Sequence, residues 1–375
     1  MKLRTEPAVD PHRSIHTETG GLPGEHRGRS RNPLIKAVGL AWLEFEKPDL
    51  ARAERFLSDF GFTVTDRTPE ALVLRGYWAG LPSLVVRRGT GSRFVGPAFA
   101  ADARADLDRL ARATDRTVQP HRGGLAVDLT DPSGFPVRVV HGVAELPALP
   151  ERDPLPLNFG RDPQRANATQ RPARRAAQIQ RLGHVAIGTT RFRAALDWYL
   201  DTLGMIASDF LYLDGQRERG PVMAFIRCDQ GSVPSDHHTL AMALQPRTGY
   251  LHSAYQVTDL DEVAAAGEYL RERGYRHAWG IGRHIQGSQI FDYWRDPDRL
   301  MFEHYTDGDL FDCSMQPGWA PMSVSGLAQW GPKATADFTG AREPGVLLAA
   351  IRALTDKGNE IDFAALRGLV KAMAS

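Results

Sequence analysis

Two stretches of the chain run through apolar and polar positions in the same order. The first, over residues 34–143, opens with the strand-like run VGLAWLEF. It continues with LARAERFLSDFGF, whose apolar residues recur at helical spacing and stop at a glycine. The second, over residues 179–310, opens with LGHVAIGT and continues with RAALDWYLDTLGM. Each block then repeats the plan. FVGPAFAADARADLDRLARATDR in the first answers LHSAYQVTDLDEVAAAGEYLRERGY in the second, and each block closes on a strand, an Asp-Pro turn and a strand. The pattern predicts two β-α-β-type units per block, with strands for a curved sheet and helices outside it. The fold class is α+β, built from tandem copies.

The flanks read differently. Residues 1–33 are polar and rich in Gly and Arg, which predicts a flexible arm; its His12, His16 and His26 have no fixed geometry and are not read as a metal cluster. Residues 144–178 are rich in Pro, Arg and Asn and predict a linker laid over a surface. Residues 311–375 predict a helical tail, with Gly358-Asn359 breaking its last apolar-periodic stretch.

Composition narrows the function classes. At 375 residues the chain is too long for one ordinary domain, and 42% apolar with 24% charged residues is the profile of a soluble globular enzyme. Forty-six basic and 45 acidic side chains leave a net charge of +1, so neither nucleic acid nor an anionic membrane is indicated as a partner. Cys228 and Cys313 are read as reduced thiols of a cytoplasmic protein. No run approaches the ~18 apolar residues of a membrane span, and the N-terminus lacks a signal-peptide core. A homo-oligomer is expected.

Aligning the copies brings out candidate chemistry. Gly183-His184 matches Gly39-Leu40; the residue seven before Asp259 is His252, and seven before Asp102 is Val95; six after Pro297 is Glu303, and six after Pro132 is Arg138. His, His and Glu in one copy against Leu, Val and Arg in the other imply one working site and one structural copy. Two imidazoles and a carboxylate form the ligand set of non-haem Fe(II), with coordination positions left open. All three lie on predicted strands, which are stiff enough to hold ligands. Near them lie His237 and His238 at the head of HHTLAMAL, and His284 and Tyr293 in GIGRHIQGSQIFDYW. These groups suit proton transfer and hydrogen bonding to a substrate oxygen. Trp279, Arg283 and Trp294 are candidates to line a pocket, and Trp319 and Trp330 of the tail to cover its mouth.

The strings LGHVAIGT, LHSAYQVTDLDEV, GRHIQGSQIFDYWRDP and EHYTDGD resemble the vicinal oxygen chelate superfamily, specifically its type I extradiol catechol dioxygenases. The resemblance covers roughly residues 34–310, strongly in the second block and weakly in the first. It implies tandem βαβββ modules forming two barrel-like domains, the first non-catalytic. It also implies Fe(II), with Mn(II) as the alternative, held by His184, His252 and Glu303. Tyr293 falls at the active-site tyrosine and His284 at a histidine that hydrogen-bonds substrate or bound oxygen. His237 or His238 takes the acid/base position, and the family pattern favours His237. The implied reaction is ring cleavage of a small aromatic vicinal diol by O2. The superfamily's other reactions include a glyoxalase-like isomerisation and an oxygenation of a phenolic natural product. The former builds its site between modules, and Leu40, Val95 and Arg138 leave the first block without ligands.

Overall fold

The computed structural model describes residues 21–340 and 345–374. In the first block β1 (Ala37–Lys47), α1 (Leu50–Phe60), β2 (Thr63–Arg67), β3 (Ala71–Arg75) and β4 (Leu84–Arg88) are followed by β5 (Arg93–Ala101), α2 (Arg104–Thr114), β6 (Gln119–His121), β7 (Gly124–Thr130) and β8 (Pro136–His141). The second block repeats this with β9 (Arg181–Thr189), α3 (Phe192–Leu203), β10 (Met205–Tyr212), β11 (Met223–Cys228) and β12 (Leu240–Leu244), then β13 (Gly249–Gln256), α4 (Leu260–Glu272), β14 (Arg276–His284), β15 (Ile290–Arg295) and β16 (Met301–Thr306). Each block is therefore a pair of βαβββ units rather than simple β-α-β units.

The first sheet runs β2-β3-β4-β1-β5-β8-β7-β6, and the core of the second runs β10-β11-β12-β9-β13-β16-β15-β14. These are the same order, position for position. In both, the opening strands of the two units pair antiparallel at the centre, β1 with β5 and β9 with β13.

Local chemistry sets the helices. Asp49 and Asp259 cap α1 and α4 by accepting from the backbone N–H of Arg52 and Glu262. Gly204 ends α3 in the left-handed region at φ 64°, where a Cβ would meet the Ile35 carbonyl oxygen at 2.4 Å.

The flanks depart from their expectations. Residues 1–20, with His12 and His16, lie outside the described residues. Residues 21–33, read as part of a flexible arm, are laid on the second block: Gly28 accepts from the Ala207 N–H, Glu25 pairs with Arg217, and His26 pairs with Asp197. The tail is not wholly helical. It adds β17 (Gly318–Pro321) beside β10 and β18 (Ala328–Trp330) beside β14, so both edges of the second sheet gain a strand from it. An unpaired sheet edge is a row of open donors and acceptors, and a following segment saturates it. The helices α5 (Val346–Thr355) and α6 (Phe363–Ala374) come after, broken around Gly358 and Asn359 as predicted.

The two blocks share one apolar core. Phe302 of β16 packs on Phe45, Phe56 and Phe60 of the first block at ring separations of 5.8, 5.4 and 5.7 Å. His304 stacks on Phe60 at 3.8 Å, and its Nε2–H donates to the Phe60 carbonyl at 2.7 Å. Lys47 of β1 reaches across to Asp296 and Asp298 in the turn before β16, where all but Asp298 are fully buried.

Burial pulls the His304 imidazole down from its ordinary 6.5 to about 4. The folded chain keeps it neutral while the unfolded chain protonates it below 6.5. Its contribution is complete above that pH and is lost as pH falls to about 4. Relative to His304→Gln, wild-type stability should therefore drop by up to about 1.4 kcal/mol per pH unit across this window. Urea denaturation at pH 4.5, 5.5 and 7 checks this, and parallel pH profiles for the two proteins would refute it.

Candidate metal centre

β9, β13 and β16 lie side by side at the centre of the second sheet. Register places Ala254 opposite both His184 and Glu303, and Ala186 opposite His252. The three functional side chains consequently share one face. His184 Nε2 lies 3.2 Å from His252 Nε2; Glu303 Oε2 lies 3.4 Å from the first and 3.3 Å from the second. Donors that share one cation at about 2.0–2.2 Å stand about 3 Å apart.

Electrostatics point the same way. Burial pulls both imidazoles down to about 3, so they are neutral and offer lone pairs. Burial also raises the Glu303 carboxyl, and neither of its oxygens has a hydrogen-bond partner among the described residues. A buried carboxylate beside two neutral imidazoles lacks a counter-charge, and a divalent cation among the three supplies it. The residues fit the metal.

Gly183 makes the approach possible. A Cβ there would meet the Tyr305 ring at 2.3–2.6 Å, so only glycine lets that ring pack beside His184.

The other expected site residues gather around the triad on two sides. On one side the ring of His238 lies 3.9 Å from that of His184. His237 turns the other way: its Nε2 lies 2.5 Å from Asp209 Oδ2, and its Nδ1 lies 3.0 Å from His238 Nδ1. The sequence preference for His237 thus meets a geometry in which His238 faces the triad and His237 stands behind it. Because a carboxylate only accepts, His237 Nε2–H donates to Asp209, and a single hydrogen joins the Nδ1 atoms of His237 and His238.

On the other side Tyr293 O–H donates to His284 Nε2 at 2.8 Å, while His284 Nδ1–H donates to the Leu327 carbonyl at 2.7 Å. The carbonyl fixes the tautomer, so Nε2 must be the acceptor. Tyr293 stands edge-on to His252, with ring centroids 5.2 Å apart. Burial drives its hydroxyl well above the usual tyrosine range, so it stays protonated.

Of the pocket candidates, Trp279 lies parallel to Tyr293 at 5.7 Å and donates to the Pro332 carbonyl. Arg283 is held by Asp307 and the Ser288 carbonyl, and Trp294 donates to Asp292. Trp319 packs on Phe210, and Trp330 lies half exposed under Arg283. Asp209 and Leu327 went unread in the sequence. Asp209 left a signal, as a lone acid in the apolar strand run MIASDFLY; a backbone carbonyl such as that of Leu327 leaves none.

Register also revises the match between copies. Ala98 pairs with Trp42 and Arg138 as Ala254 pairs with His184 and Glu303, and Glu44 pairs with Gly96 as Ala186 does with His252. The first-block equivalents are therefore Trp42, Gly96 and Arg138, in place of Leu40, Val95 and Arg138. The count along the chain is off by two in β1 and by one in β5. There Arg138 is taken up by Glu44 and Asp128, and Trp42 donates to Glu44.

Comparison with known proteins agrees with this geometry. Residues 181–304 match the Glyoxalase/Bleomycin resistance protein/Dioxygenase superfamily. The chain is 33% identical to metapyrocatechase 2 of Cupriavidus necator over 331 residues, 86% of this chain and 96% of that one. It is 24% identical to the iron-dependent extradiol dioxygenase of Rhodococcus jostii over 172 residues, 44% of this chain and 53% of that one. Among solved structures, an extradiol ring-cleaving dioxygenase from B. fuscum matches with a TM-score of 0.65 at 18% identity over 84% of each chain. The Mn(II)-bound glyoxalase from Novosphingobium aromaticivorans also matches at 0.65, with 21% identity over 80% of this chain and 94% of that one. The chain belongs to the extradiol dioxygenase family of this superfamily. It is an oxidoreductase of the ring-cleaving class, with the vicinal oxygen chelate fold.

Gly183→Ala should force the Tyr305 ring from its place and lower stability by roughly 1–3 kcal/mol. Urea denaturation of the metal-free protein checks this, and an unchanged midpoint would show that the close approach is unimportant.

Proposed function

We propose that this chain opens the ring of a catechol-type substrate with O2, using iron(II) held by His184, His252 and Glu303. The observation that carries this reading is the triad: three donors within 3.4 Å of one another, His184 and Glu303 buried and His252 partly so, with the carboxylate unpartnered among the described residues. The bound metal supplies Lewis acidity and one-electron chemistry, through which an aromatic diol and dioxygen combine. Both oxygen atoms enter the ring-opened product.

The protein's own groups do the rest. His238, whose ring faces the triad, exchanges a proton with a substrate hydroxyl. Asp209 and His237 hold that ring in place. Tyr293, kept protonated with its hydrogen on His284 Nε2, turns its oxygen to accept from a substrate hydroxyl, and the Leu327 carbonyl fixes the His284 tautomer that holds it there. Burial of the triad excludes bulk water and strengthens each of these interactions. A glyoxalase-like site between blocks is disfavoured, because the first block offers Trp42, Gly96 and Arg138 at the ligand positions.

Anaerobic loading with iron, followed by oxygen uptake with catechol, tests the reading. His184→Ala, His252→Ala and Glu303→Ala should each lose metal and activity together. His238→Ala and Tyr293→Phe should keep the metal and lower kcat by about 10²–10³-fold. Full activity in any of the three ligand variants would sink the assignment. Failure of the wild type to retain metal would sink it as well.

A further inference from the structure

The concave face of the second sheet has two unlike halves. Over β14, β15 and β16 it is covered by the tail: Phe338 packs on Trp279 at 4.4 Å and on Tyr293 at 4.9 Å. Over β9 to β12 the face that carries His184 continues as apolar rows. Register aligns Ala186 with Ala241 and Phe225, and one pleat further Ala243 with Met223 and Leu211. All of these but Ala243 belong to a cluster distinct from the main core, which takes the opposite face through Val185, Ile187, Leu240 and Met242. A bulge between Ala186 and Ile187 carries Leu251 into the same cluster beside His252, and Met322 joins from the tail. Met223, Leu251 and Met322 stay partly exposed, as does the His252 side chain at 14%. A half-open apolar surface beside a few converging polar groups is the usual make of a small-molecule site.

The first block shows what this face looks like without a ligand to hold. Its residues equivalent to Ala186 and Ala241 are Glu44 and Val85, and Glu44 is taken up by Arg138. In the second block two alanines set the floor back at that depth.

Resting on the extradiol reading above, the geometry points to a catechol whose ring carries an uncharged apolar substituent, alkyl or aryl, laid on the floor of Met223, Phe225, Leu251 and Met322. The first row ends on Asp209, an acid engaged by His237. The cations are already committed: Arg181 to both oxygens of Asp236, Arg283 to Asp307, and Arg227, two residues on from Phe225, to the Ala207, Asp312 and Met315 carbonyls and the Ser208 hydroxyl. A carboxylate substituent would be stripped of water against carbon and would face an acid rather than a base.

The test compares catechol, 4-methylcatechol, 4-ethylcatechol, 4-propylcatechol and 3,4-dihydroxyphenylacetate on the iron-loaded protein. Binding is measured anaerobically by calorimetry and turnover by oxygen uptake. Each added methylene should tighten Kd by about fourfold. The carboxylate should bind at least about a hundredfold more weakly than 4-ethylcatechol. Met223→Lys, or Met322→Lys should the first fail to fold, should shift the kcat/KM ratio toward the carboxylate by at least tenfold. Equal or tighter binding of the carboxylate, or affinity that is flat along the alkyl series, overturns the inference while leaving ring cleavage intact. Absence of turnover with every catechol overturns the extradiol reading itself.

Discussion

Everything at the centre hangs on the alternation of one strand. In β16 the side chain of Glu303 points into the concave face, and those of Phe302 and His304 point out into the first block. A period of two allows nothing else. The residue that completes the three-donor cluster is thus locked by neighbours on either side that are buried in an aromatic cluster. The first block, without ligands of its own, is the surface against which the ligand strand is held.

The same logic explains the shape of the site. Two antiparallel strands at the sheet centre bring His184 and His252 face to face, and a parallel neighbour adds Glu303. Stiff central strands keep three mutually repelling donors together without help from loops. Loops and tail then supply orientation rather than ligands. The Leu327 carbonyl sets the His284 tautomer, and Asp209 holds His237 and through it His238 in place. A metal site needs such outer partners because an imidazole alone can bind in either tautomer.

Duplication gave this fold two concave faces, and the two have gone opposite ways. In one, Trp42 and the Arg138–Glu44–Asp128 ion pairs fill the surface with groups that satisfy each other. In the other, alanines and a partnerless carboxylate leave both apolar and polar demands for a ligand to meet. Satisfied polar groups mark a structural face, and unsatisfied buried ones mark a working one.

The sequence by itself determined the repeat and the α+β class and singled out His184, His252 and Glu303 as candidates, because hydrophobic periodicity and chain order are local properties. The helix break at Gly358-Asn359 was legible for the same reason. Three things needed the tertiary structure. Cross-strand pairing moved the first-block equivalents to Trp42 and Gly96, and register is settled across strands rather than along them. Which of His237 and His238 faces the three donors turned on a one-residue register that the HHT string carries equally well either way. The roles of residues 21–33 and of the tail were decided by sheet edges and carbonyls, since backbone groups are the same whatever the side chain, and only the fold shows which of them reach the site.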